Sequence, residues 1–555
     1  MKDFEKSVVY QIYPKSFKDS NGDGFGDLKG VIEKLDYLAK LGVDYIWLTP
    51  FYVSPQKDNG YDVAEYCKID SRFGTMADFE QLIKEASKRD IDVMLDMVFN
   101  HTSTEHPWFK RALLGEKKYK DYYIFKKPVN GGEPTNWISK FGGSAWQKVK
   151  EFDEYYLHLF DVTQADLNWE NPDLREEIYQ VVNFWMDKGV KGFRLDVINL
   201  ISKPQTFEND LEGDGRRFYT DGPKIHKYLK ELNRETFGKK EGILTVGEMS
   251  STTIDNCIKY SNPDEQELSM VFNFHHLKVD YQNGDKWTSM DFDFIQLKKL
   301  FNTWQVGMQE GNGWNAVFWC NHDQPRIVSR FGDDKTYHKE SAKMLGTTIH
   351  MMRGTPYIYQ GEEIGMTNAY FESIEDYRDI ESINYYNILM EKGKSKGEII
   401  KILQQKSRDN SRTPMQWDKT PQGGFTSGIP WIDVNKNYGH INSENALADS
   451  SSIFYHYKKL ISLRKELDII AYGDYYPILE QHPSIFAYMR EYKNEKLLVI
   501  NNFYPEESEF NLPEDINLEG YQDELVISNY ENTQKTFRGS INLRPYESLV
   551  FHLVK

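Results

Sequence analysis

Cysteine is scarce in this sequence, and long apolar runs are missing from it. Only three of the 555 residues are cysteine (Cys67, Cys257 and Cys320), and no two of them form a CxxC pair. This scarcity excludes a disulfide-rich scaffold and is typical of proteins in a reducing compartment. No run reaches the roughly 18 apolar residues of a membrane-spanning helix, and the acidic first residues do not resemble a signal peptide. We therefore expect a soluble, cytoplasmic protein that has no membrane partner.

The chain also lacks an excess of positive charge. Its 68 lysines and arginines are outnumbered by 85 aspartates and glutamates, which gives a net charge of −17. A nucleic-acid partner is therefore not expected, because proteins that bind nucleic acids present a basic surface. Zinc-ligand spacing, a GxSxG motif, a P-loop and a GxGxxG motif are all missing. We expect a monomer that binds a small molecule and needs no cofactor for its chemistry.

Patterns typical of strands and amphipathic helices alternate along most of the chain. Repeated strand–helix units imply parallel strands, and eight of them imply a closed barrel. The sequence therefore predicts an α/β fold of the (β/α)8 TIM-barrel type. The eight predicted strands lie at residues 8–13, 45–50, 91–98, 192–197, 243–249, 270–276, 315–321 and 355–360.

Two regions depart from this alternation. About seventy residues separate the third predicted strand from the next helical pattern, which is too long for a βα loop and predicts an inserted subdomain. Short β-rich runs dominate from Tyr472 onward and predict an antiparallel C-terminal domain. We therefore divide the chain into the first part of the barrel (1–101), the inserted B subdomain (102–171), the rest of the barrel with a helical extension (172–471) and a C-terminal β-sandwich domain (472–555).

Polar side chains recur at the carboxyl ends of the predicted strands, which is where TIM-barrel active sites form. Each could be a hydrogen-bonded structural group when taken singly, and Arg194 with Asp196 fits a structural ion pair equally well. Convergence of so many on one rim favours a functional site. The set comprises Asp58, Asp62, Asn100, His101, Arg194, Asp196, Glu248, His322 and Asp323.

Three carboxylates beside one arginine suit glycoside hydrolysis. That reaction needs one acid to protonate the leaving oxygen and one carboxylate to act as nucleophile or base. Arg194 and Asp196 are two positions apart on a strand, so their side chains point to the same face. We expect the positive charge of Arg194 to hold the Asp196 carboxylate in its ionised form.

A loop rich in oxygen-bearing side chains follows the first predicted strand. Residues 19–27 place such side chains at alternate positions around glycines, an arrangement that suits Ca²⁺. The loop departs from an EF-hand, because the expected glutamate at its twelfth position is missing and no helical pattern precedes it. A surface turn stabilised by aspartate and asparagine side chains is the alternative to a metal site.

Four segments resemble the signature regions of the α-amylase superfamily, glycoside hydrolase family thirteen. They are residues 96–101, residues 192–199, Glu248, and residues 321–323, and their order and spacing match over nearly the whole chain. The resemblance implies a retaining double displacement with Asp196 as nucleophile, Glu248 as acid/base and Asp323 as a third carboxylate that binds sugar hydroxyls. It also implies that the terminal glucose is held by Asp62, His101, Arg194, His322 and Arg408.

The oligo-1,6-glucosidase subfamily provides two finer resemblances. Residues 164–168 (Gln-Ala-Asp-Leu-Asn) resemble its characteristic motif, and Val197 directly after Asp196 is the residue type of members that do not prefer α-1,4 bonds. The loop at residues 19–27 is similar to the calcium loop of these enzymes. That similarity implies a structural Ca²⁺ bound by the side chains of Asp19, Asn21, Asp23 and Asp27.

Segments 140–146, 212–223 and 274–280 resemble the relatives that act on α,α-trehalose 6-phosphate. Oligo-1,6-glucosidases usually have Phe-Glu-His at residues 274–276 and lack a lysine at position 278, whereas this chain has Phe-His-His and Lys278. Such a change from acid to base favours a phosphorylated substrate. We therefore hypothesise hydrolysis of this phosphorylated disaccharide to glucose and glucose 6-phosphate. The candidate phosphate contacts are His275, Lys278 and Lys286, with Arg217 as a further candidate, and each could equally be a solvated surface charge.

The sequence is compatible with other functions as well. An oligo-1,6-glucosidase would use the same fold and the same carboxylates, and a transglycosylase or isomerase would differ only in what resolves the glucosyl-enzyme. A non-catalytic relative, such as a transporter heavy chain, is disfavoured. Such proteins carry a membrane span, and this chain retains Asp196, Glu248 and Asp323.

Overall fold

The computed structural model describes residues 2–555. Its central element is a sheet of eight parallel strands in the order β6-β5-β4-β3-β2-β1-β8-β7. These strands are β1 (Val9–Ile12), β2 (Tyr45–Leu48), β3 (Asp92–Val98), β4 (Gly192–Asp196), β5 (Leu244–Glu248), β6 (Met270–Phe272), β7 (Ala316–Val317) and β8 (Thr355–Tyr359).

The sheet closes on itself. A parallel bridge between Val271 and Asn315 joins β6 to the start of β7, and the Val271 N–H donates to the Trp314 carbonyl oxygen at 3.2 Å. Strands β1, β2, β4, β6, β7 and β8 are buried at every position, as expected for parallel strands covered on both faces. The predicted (β/α)8 barrel is confirmed.

Helices surround the barrel and begin where the sequence supplies caps. Thr75 and Asp78 form a capping box at the start of Met76–Ser87, and Asn171 caps Pro172–Asp187, in which proline occupies the first turn. Gly42 ends Leu35–Leu41 in a left-handed conformation that glycine adopts without strain. The other barrel helices are Leu28–Glu33, Arg216–Tyr219, Ile225–Glu235, Ile254–Ser261, Phe294–Glu310, Ile327–Phe331 and His338–His350.

Strands β6 and β7 are shorter than the sequence predicts. The chain leaves β6 after Phe272 and forms a short 3₁₀ turn at His275–Lys278, and β7 ends at Val317, before the segment that carries His322 and Asp323. The polar residues that follow these two strands therefore lie in loops at the barrel rim and do not extend the parallel sheet.

The region between β3 and Pro172 folds over the barrel rim. Its strand His101–Ser103 pairs antiparallel with Gln164–Asp166, so Asp166 lies directly opposite His101. Three further short strands, Phe125–Lys126, Trp146–Lys148 and Tyr155–Leu157, form a small antiparallel sheet. Helices Pro107–Leu113 and Lys117–Lys120 complete this part of the chain.

The last part of the chain forms an antiparallel sheet in the order β9-β10-β11-β15-β13, beside a two-stranded β12-β14 pair. The strands are β9 (Asp474–Ile478), β10 (Ile485–Tyr492), β11 (Glu495–Asn502), β12 (Ser508–Asn511), β13 (Gln522–Ser528), β14 (Ser540–Leu543) and β15 (Ser548–Val554). The predicted antiparallel C-terminal domain is confirmed. Between β8 and β9 lie the helices Ile380–Glu391, Lys396–Lys406, Asp409–Arg412, Ser443–Ala448, Ile453–Glu466 and Asp468–Tyr472.

Two structural features bear on the predicted metal and membrane properties. Within residues 2–555, no helix has both the length and the apolar character that crossing a membrane requires. The same residues contain no group of three or more histidine, cysteine, aspartate or glutamate side chains arranged to hold a metal ion.

Candidate active site

A cavity of about 250 Å³ opens at the carboxyl ends of the barrel strands. We call it the carboxylate cavity, because aspartate and glutamate side chains from several strands form its wall. The predicted site residues that line it are His101, Asp196, Glu248, Lys278, Lys286, Asp323 and Arg408.

Arg194 lies behind the wall of this cavity and organises one side of it. Its side chain is fully buried, and one terminal nitrogen lies 2.7 Å from both Asp96 Oδ1 and Asp196 Oδ1. The other terminal nitrogen contacts the Glu248 carboxylate. A single guanidinium therefore orients side chains from β3, β4 and β5, and three carboxylates share its one positive charge.

This charge ratio affects the pKa values of the carboxyl groups in the cluster. Burial raises the pKa of Asp196 well above its usual range, and Glu248 and Asp96 raise it further, whereas Arg194 lowers it. Burial also raises the pKa of Asp96 to about 6. These shifts run against the expectation that Arg194 holds Asp196 ionised, because Arg194 lowers the pKa of Asp196 by less than burial and the two neighbouring carboxylates raise it.

Asp323, on the β7 side of the cavity, has the opposite surroundings. Its Oδ1 lies 2.8 Å from Arg412 Nη2 and 3.2 Å from Arg408 Nη1. Burial would raise the pKa of Asp323, but His322, Arg408 and Arg412 outweigh that effect and bring it below the usual range. Because burial lowers the pKa of His322 to about 3, the two arginines hold Asp323 ionised at neutral pH.

Asp58, not Asp62, faces the carboxylate cavity. Arg408 Nη2 lies 3.2 Å from Asp58 Oδ1, and burial raises the pKa of Asp58 to about 7. The Asp62 carboxylate is completely buried and accepts the backbone N–H groups of Lys57 and Asp58 at 2.8 and 3.1 Å. Asp62 therefore stabilises the loop that presents Asp58, and the predicted contact between Asp62 and the sugar is corrected.

The two predicted histidines have different positions. His101 lines the cavity, with Nε2 at 3.2 Å from the Tyr61 carbonyl oxygen, and burial lowers its pKa to about 4. His322 does not reach the wall, because its ring stacks behind Tyr61 at a centroid distance of 5.0 Å. Tyr61 itself lines the cavity and was missed, although its position between Asp58 and Asp62 could have suggested it.

Val197 lines the cavity in a strained backbone conformation. Its φ of 35° and ψ of 41° lie in the left-handed region, which a β-branched residue rarely adopts. Its backbone N–H lies 3.4 Å from Glu248 Oε2. Strain of this kind collects at functional sites, and here it occurs directly after Asp196.

The candidate phosphate contacts separate into two groups. Lys278 is exposed on the cavity wall and has no carboxylate partner within residues 2–555. Lys286 also lines the cavity, but Glu381 neutralises it at 2.7 Å. The His275 ring stacks on the Trp304 ring at a centroid distance of 4.9 Å, and His275 does not line the cavity. Arg217 forms ion pairs with Asp210 and Glu212 at 2.9 and 2.8 Å and does not line the cavity.

Lys140 is a basic residue near the cavity that the sequence reasoning did not select. Its Nζ lies 3.1 Å from the hydroxyl of Ser250, which is part of the wall. Burial lowers the pKa of Lys140 to about 7, and the charges of Arg216 and Lys278 lower it further. Segment 140–146 resembles relatives that act on a phosphorylated sugar, but only the fold brings it to the end of β5.

The acidic loop at residues 19–27 is closed by hydrogen bonds to its own backbone. Asp19 accepts the N–H groups of Gly22 and Gly24 at 2.7 and 2.8 Å, and Asp27 caps the helix Leu28–Glu33 through the Gly30 N–H at 2.7 Å. The side chain of Asn21 donates to Asp23 at 3.1 Å. The oxygen-rich side chains suit a hard cation, but in this arrangement they accept N–H groups instead of converging on one point.

Comparison with known proteins identifies the family. The family described as alpha amylase, catalytic domain, matches residues 11–473, and the alpha-amylase SusG C-terminal domain matches residues 485–550. The chain belongs to the α-amylase family. The predicted resemblance to this superfamily is therefore confirmed.

Relatives within the α-amylase family cover the chain from end to end. Trehalose-6-phosphate hydrolase of Bacillus subtilis is 58% identical over 100% of this chain and 98% of its own length. Oligo-1,6-glucosidase of Bacillus cereus is 52% identical over 99% of both chains. A crystal structure of trehalose-6-phosphate hydrolase from Bacillus licheniformis is 61% identical, covers 100% of both chains and superposes with a TM-score of 0.96.

Proposed function

We propose that the protein hydrolyses α,α-trehalose 6-phosphate to glucose and glucose 6-phosphate. The observation that carries this proposal is the position of Lys278, a cation without a carboxylate partner in the described chain, in the same cavity as Asp196 and Glu248. An ammonium group there can pair with a phosphate that projects from the cavity. The 58% identity to the Bacillus subtilis trehalose-6-phosphate hydrolase supports the same substrate.

In the first step of the proposed reaction, an Asp196 oxygen bonds to the anomeric carbon of the unphosphorylated glucose. The bond from that carbon to the bridging oxygen breaks, and the proton of Glu248 moves to this oxygen, which leaves as part of glucose 6-phosphate. The positive charge that develops on the sugar ring favours the ionised form of Asp196 and opposes the effect of burial on its pKa.

In the second step, the Glu248 carboxylate takes a proton from water while the water oxygen bonds to the anomeric carbon. The bond to Asp196 breaks, and glucose leaves with the anomeric configuration of the substrate. Asp323, held ionised by Arg408 and Arg412, accepts hydrogen bonds from sugar hydroxyls throughout.

The inner part of the cavity is suited to bind the unphosphorylated glucose. Asp58 and Arg408 offer an acceptor and donors for hydroxyl groups, and His101 offers a neutral ring. Tyr61 presents an aromatic ring to the same space. These residues replace the predicted set in which Asp62 and His322 contacted the sugar.

The phosphate is assigned to the outer part of the cavity. Lys278 is the primary contact, and Lys140 supports it from behind Ser250. The Lys286 ammonium has less to offer an anion, because Glu381 already neutralises it. The segments that carry Lys140 and Lys278 are two of the three segments in which the chain resembles enzymes acting on a phosphorylated substrate.

Hydrolysis of isomaltose-like ends is the second candidate function, because the chain is also 52% identical to an oligo-1,6-glucosidase. Initial rates on trehalose 6-phosphate, trehalose and isomaltose, with glucose and glucose 6-phosphate detected separately, distinguish the two candidates. We expect strong preference for the phosphorylated sugar. Preference for isomaltose would overturn the assigned substrate and leave the carboxylate roles intact.

We retain three further assignments as proposals. The domain limits are 1–101 and 172–471 for the barrel with its extension, 102–171 for the inserted subdomain and 472–555 for the C-terminal domain. The protein acts as a monomer. The loop formed by Asp19, Asn21, Asp23 and Asp27 binds a structural Ca²⁺, supported by its oxygen-bearing side chains and by the buried carboxylate of Asp19.

A further inference from the structure

A second cavity, of about 220 Å³, lies between the inserted region and the barrel. It is nearly as large as the carboxylate cavity, and the two have no lining residue in common. Its walls come from the inserted region, from the segment after β4 and from the helix Ile225–Glu235. Nothing in the reaction proposed above uses this cavity.

The walls of the second cavity combine aromatic rings with polar side chains. Phe125, Phe207 and Trp169 contribute the rings, and Asn168 and Gln205 contribute amide groups that can donate and accept hydrogen bonds. A pyranose sugar needs both kinds of surface, because its ring carries apolar C–H faces and a rim of hydroxyl groups. Cavities with this combination are the usual form of small-molecule sites.

The buried side of the cavity has hydrogen-bonding capacity that the protein does not use. The ammonium group of Lys203, which is only 6% exposed, donates to Asn100 Oδ1 at 2.6 Å and to Asp166 Oδ2 at 2.7 Å. Its third N–H group has no acceptor within residues 2–555. The buried hydroxyl of Tyr228, another lining residue, lies beside the Glu170 carboxylate, and its oxygen can accept a hydrogen bond from a ligand.

The charges around the cavity favour a neutral ligand. Asp166 neutralises Lys203, and Lys224 neutralises Glu170 at 2.5 Å. Lys126 is the remaining cation, and its Nζ lies 4.5 Å from the centre of the Phe207 ring, where a cation–π contact holds it. An ion would therefore gain little here, whereas the hydroxyl groups of a neutral ligand can bond to the remaining Lys203 N–H and to the two amides.

We propose that the second cavity is a binding site for a neutral pyranose sugar. The ring of the sugar packs against the aromatic wall, and its hydroxyl groups bond to Lys203, Tyr228 and the two amides. The assignment does not depend on the proposed function, because it rests on residues that the carboxylate cavity does not share.

Equilibrium dialysis of the full chain against radiolabelled glucose tests the proposal. Gln205→Trp plugs the cavity at its exposed edge, and Gln147→Trp makes the same change at an exposed glutamine that lines neither cavity. We expect Gln205→Trp to bind one glucose fewer per chain than the parent and Gln147→Trp to bind the same number as the parent. An equal number for all three proteins would overturn the proposal.

Two controls keep the result interpretable. The Tm of each variant establishes that it is folded, and Pro204→Trp, at the same edge, replaces Gln205→Trp should that variant unfold. Dialysis is repeated with glucose 6-phosphate. One result would show that the cavity takes a phosphosugar and would overturn the neutral-sugar proposal. In that result the plugged variant binds one glucose 6-phosphate fewer than the parent but the same number of glucose molecules, and Lys126→Gln also removes the glucose 6-phosphate site.

Discussion

The two sides of the carboxylate cavity treat the same chemical group in opposite ways. On the β4–β5 side, Asp196 shares one arginine with two other carboxylates, and its pKa is raised well above the usual range, first by burial. On the β7 side, Asp323 accepts from two arginines, and its pKa is lowered despite burial. The number of cations per carboxylate, rather than burial alone, decides the direction in which each carboxyl pKa shifts.

This difference fits a division of labour. Asp196 has to be ionised to bond to the anomeric carbon, so the proposed reaction relies on the positive charge that develops on the sugar ring to offset the raised pKa of Asp196. A residue that only holds hydroxyl groups works best with a permanent charge. The following experiments test this comparison, from the largest expected effect to the smallest.

Asp196→Asn should lower kcat by about 10⁴-fold, because it removes the proposed nucleophile. Since the substitution also removes a carboxylate that shares Arg194 with Asp96 and Glu248, Tm at neutral pH should stay the same or rise. Initial rates and calorimetry measure both. A variant that keeps a tenth of the parent activity would remove Asp196 from the proposed role.

Arg412→Gln should lower stability by about 3–5 kcal/mol, because it breaks a buried ion pair with Asp323. It should also raise the pH at which the Tm begins to fall on acidification. The depressed pKa of Asp323 contributes stability that is present above its unfolded value and lost as the pH falls, and removal of a cation moves that loss to higher pH.

Arg464→Gln is the matched control for this substitution. Arg464 is also fully buried, but it donates to backbone carbonyls of Glu5 and Gly354 instead of to a carboxylate of the cavity. We expect a similar loss of Tm at neutral pH, but the Tm should begin to fall on acidification at the same pH as in the parent protein. Identical pH profiles for the two variants would show that Arg412 acts only on stability.

Lys278→Ala should raise KM for trehalose 6-phosphate by about 10- to 100-fold, because a hydrogen bond to a charged group contributes about 1.5–3 kcal/mol. Hydrolysis of an unphosphorylated glucoside should be nearly unchanged. Lys394→Ala, at another exposed lysine, is the control. Equal losses on both substrates would exclude Lys278 from the phosphate site.

Removal of Ca²⁺ by a chelator should lower Tm by about 2–4 °C if the loop at residues 19–27 binds the ion. In this loop, backbone N–H groups compensate the carboxylates, in contrast to the arginines of the cavity. Asp23→Asn should abolish the response to the chelator. An unchanged Tm in the parent protein would favour the alternative of a surface turn.

The sequence predicts that Asp196 and Asp323 lie at the barrel rim. It does not show which of Asp58 and Asp62 faces the cavity. Strand periodicity is local, so the sequence places Arg194 and Asp196 on one face of β4. Asp58 and Asp62 occupy one loop, and the choice between them depends on Arg408, which is 350 positions from Asp58. No local pattern carries that information.

The basic residues illustrate the same limit. His275 and Lys278 lie on one short turn, yet His275 stacks on Trp304 while Lys278 lines the cavity. Lys286 lines the cavity with its charge already neutralised by Glu381, a residue 95 positions away. Identification of a basic segment was therefore possible, but identification of the cation that is free to bind a phosphate was not.

The sequence by itself determined the barrel, the C-terminal domain, the family and the carboxylates at the strand ends, because these follow from local periodicity and from motifs along the chain. Only the tertiary structure decided which loop residues face the cavity, which cations are already neutralised and in which direction each carboxyl pKa shifts. The physical reason is that burial and charge act through space. Asp196 and Asp323 are the same residue type on one rim, and their different pKa shifts result from neighbours that distant parts of the chain supply.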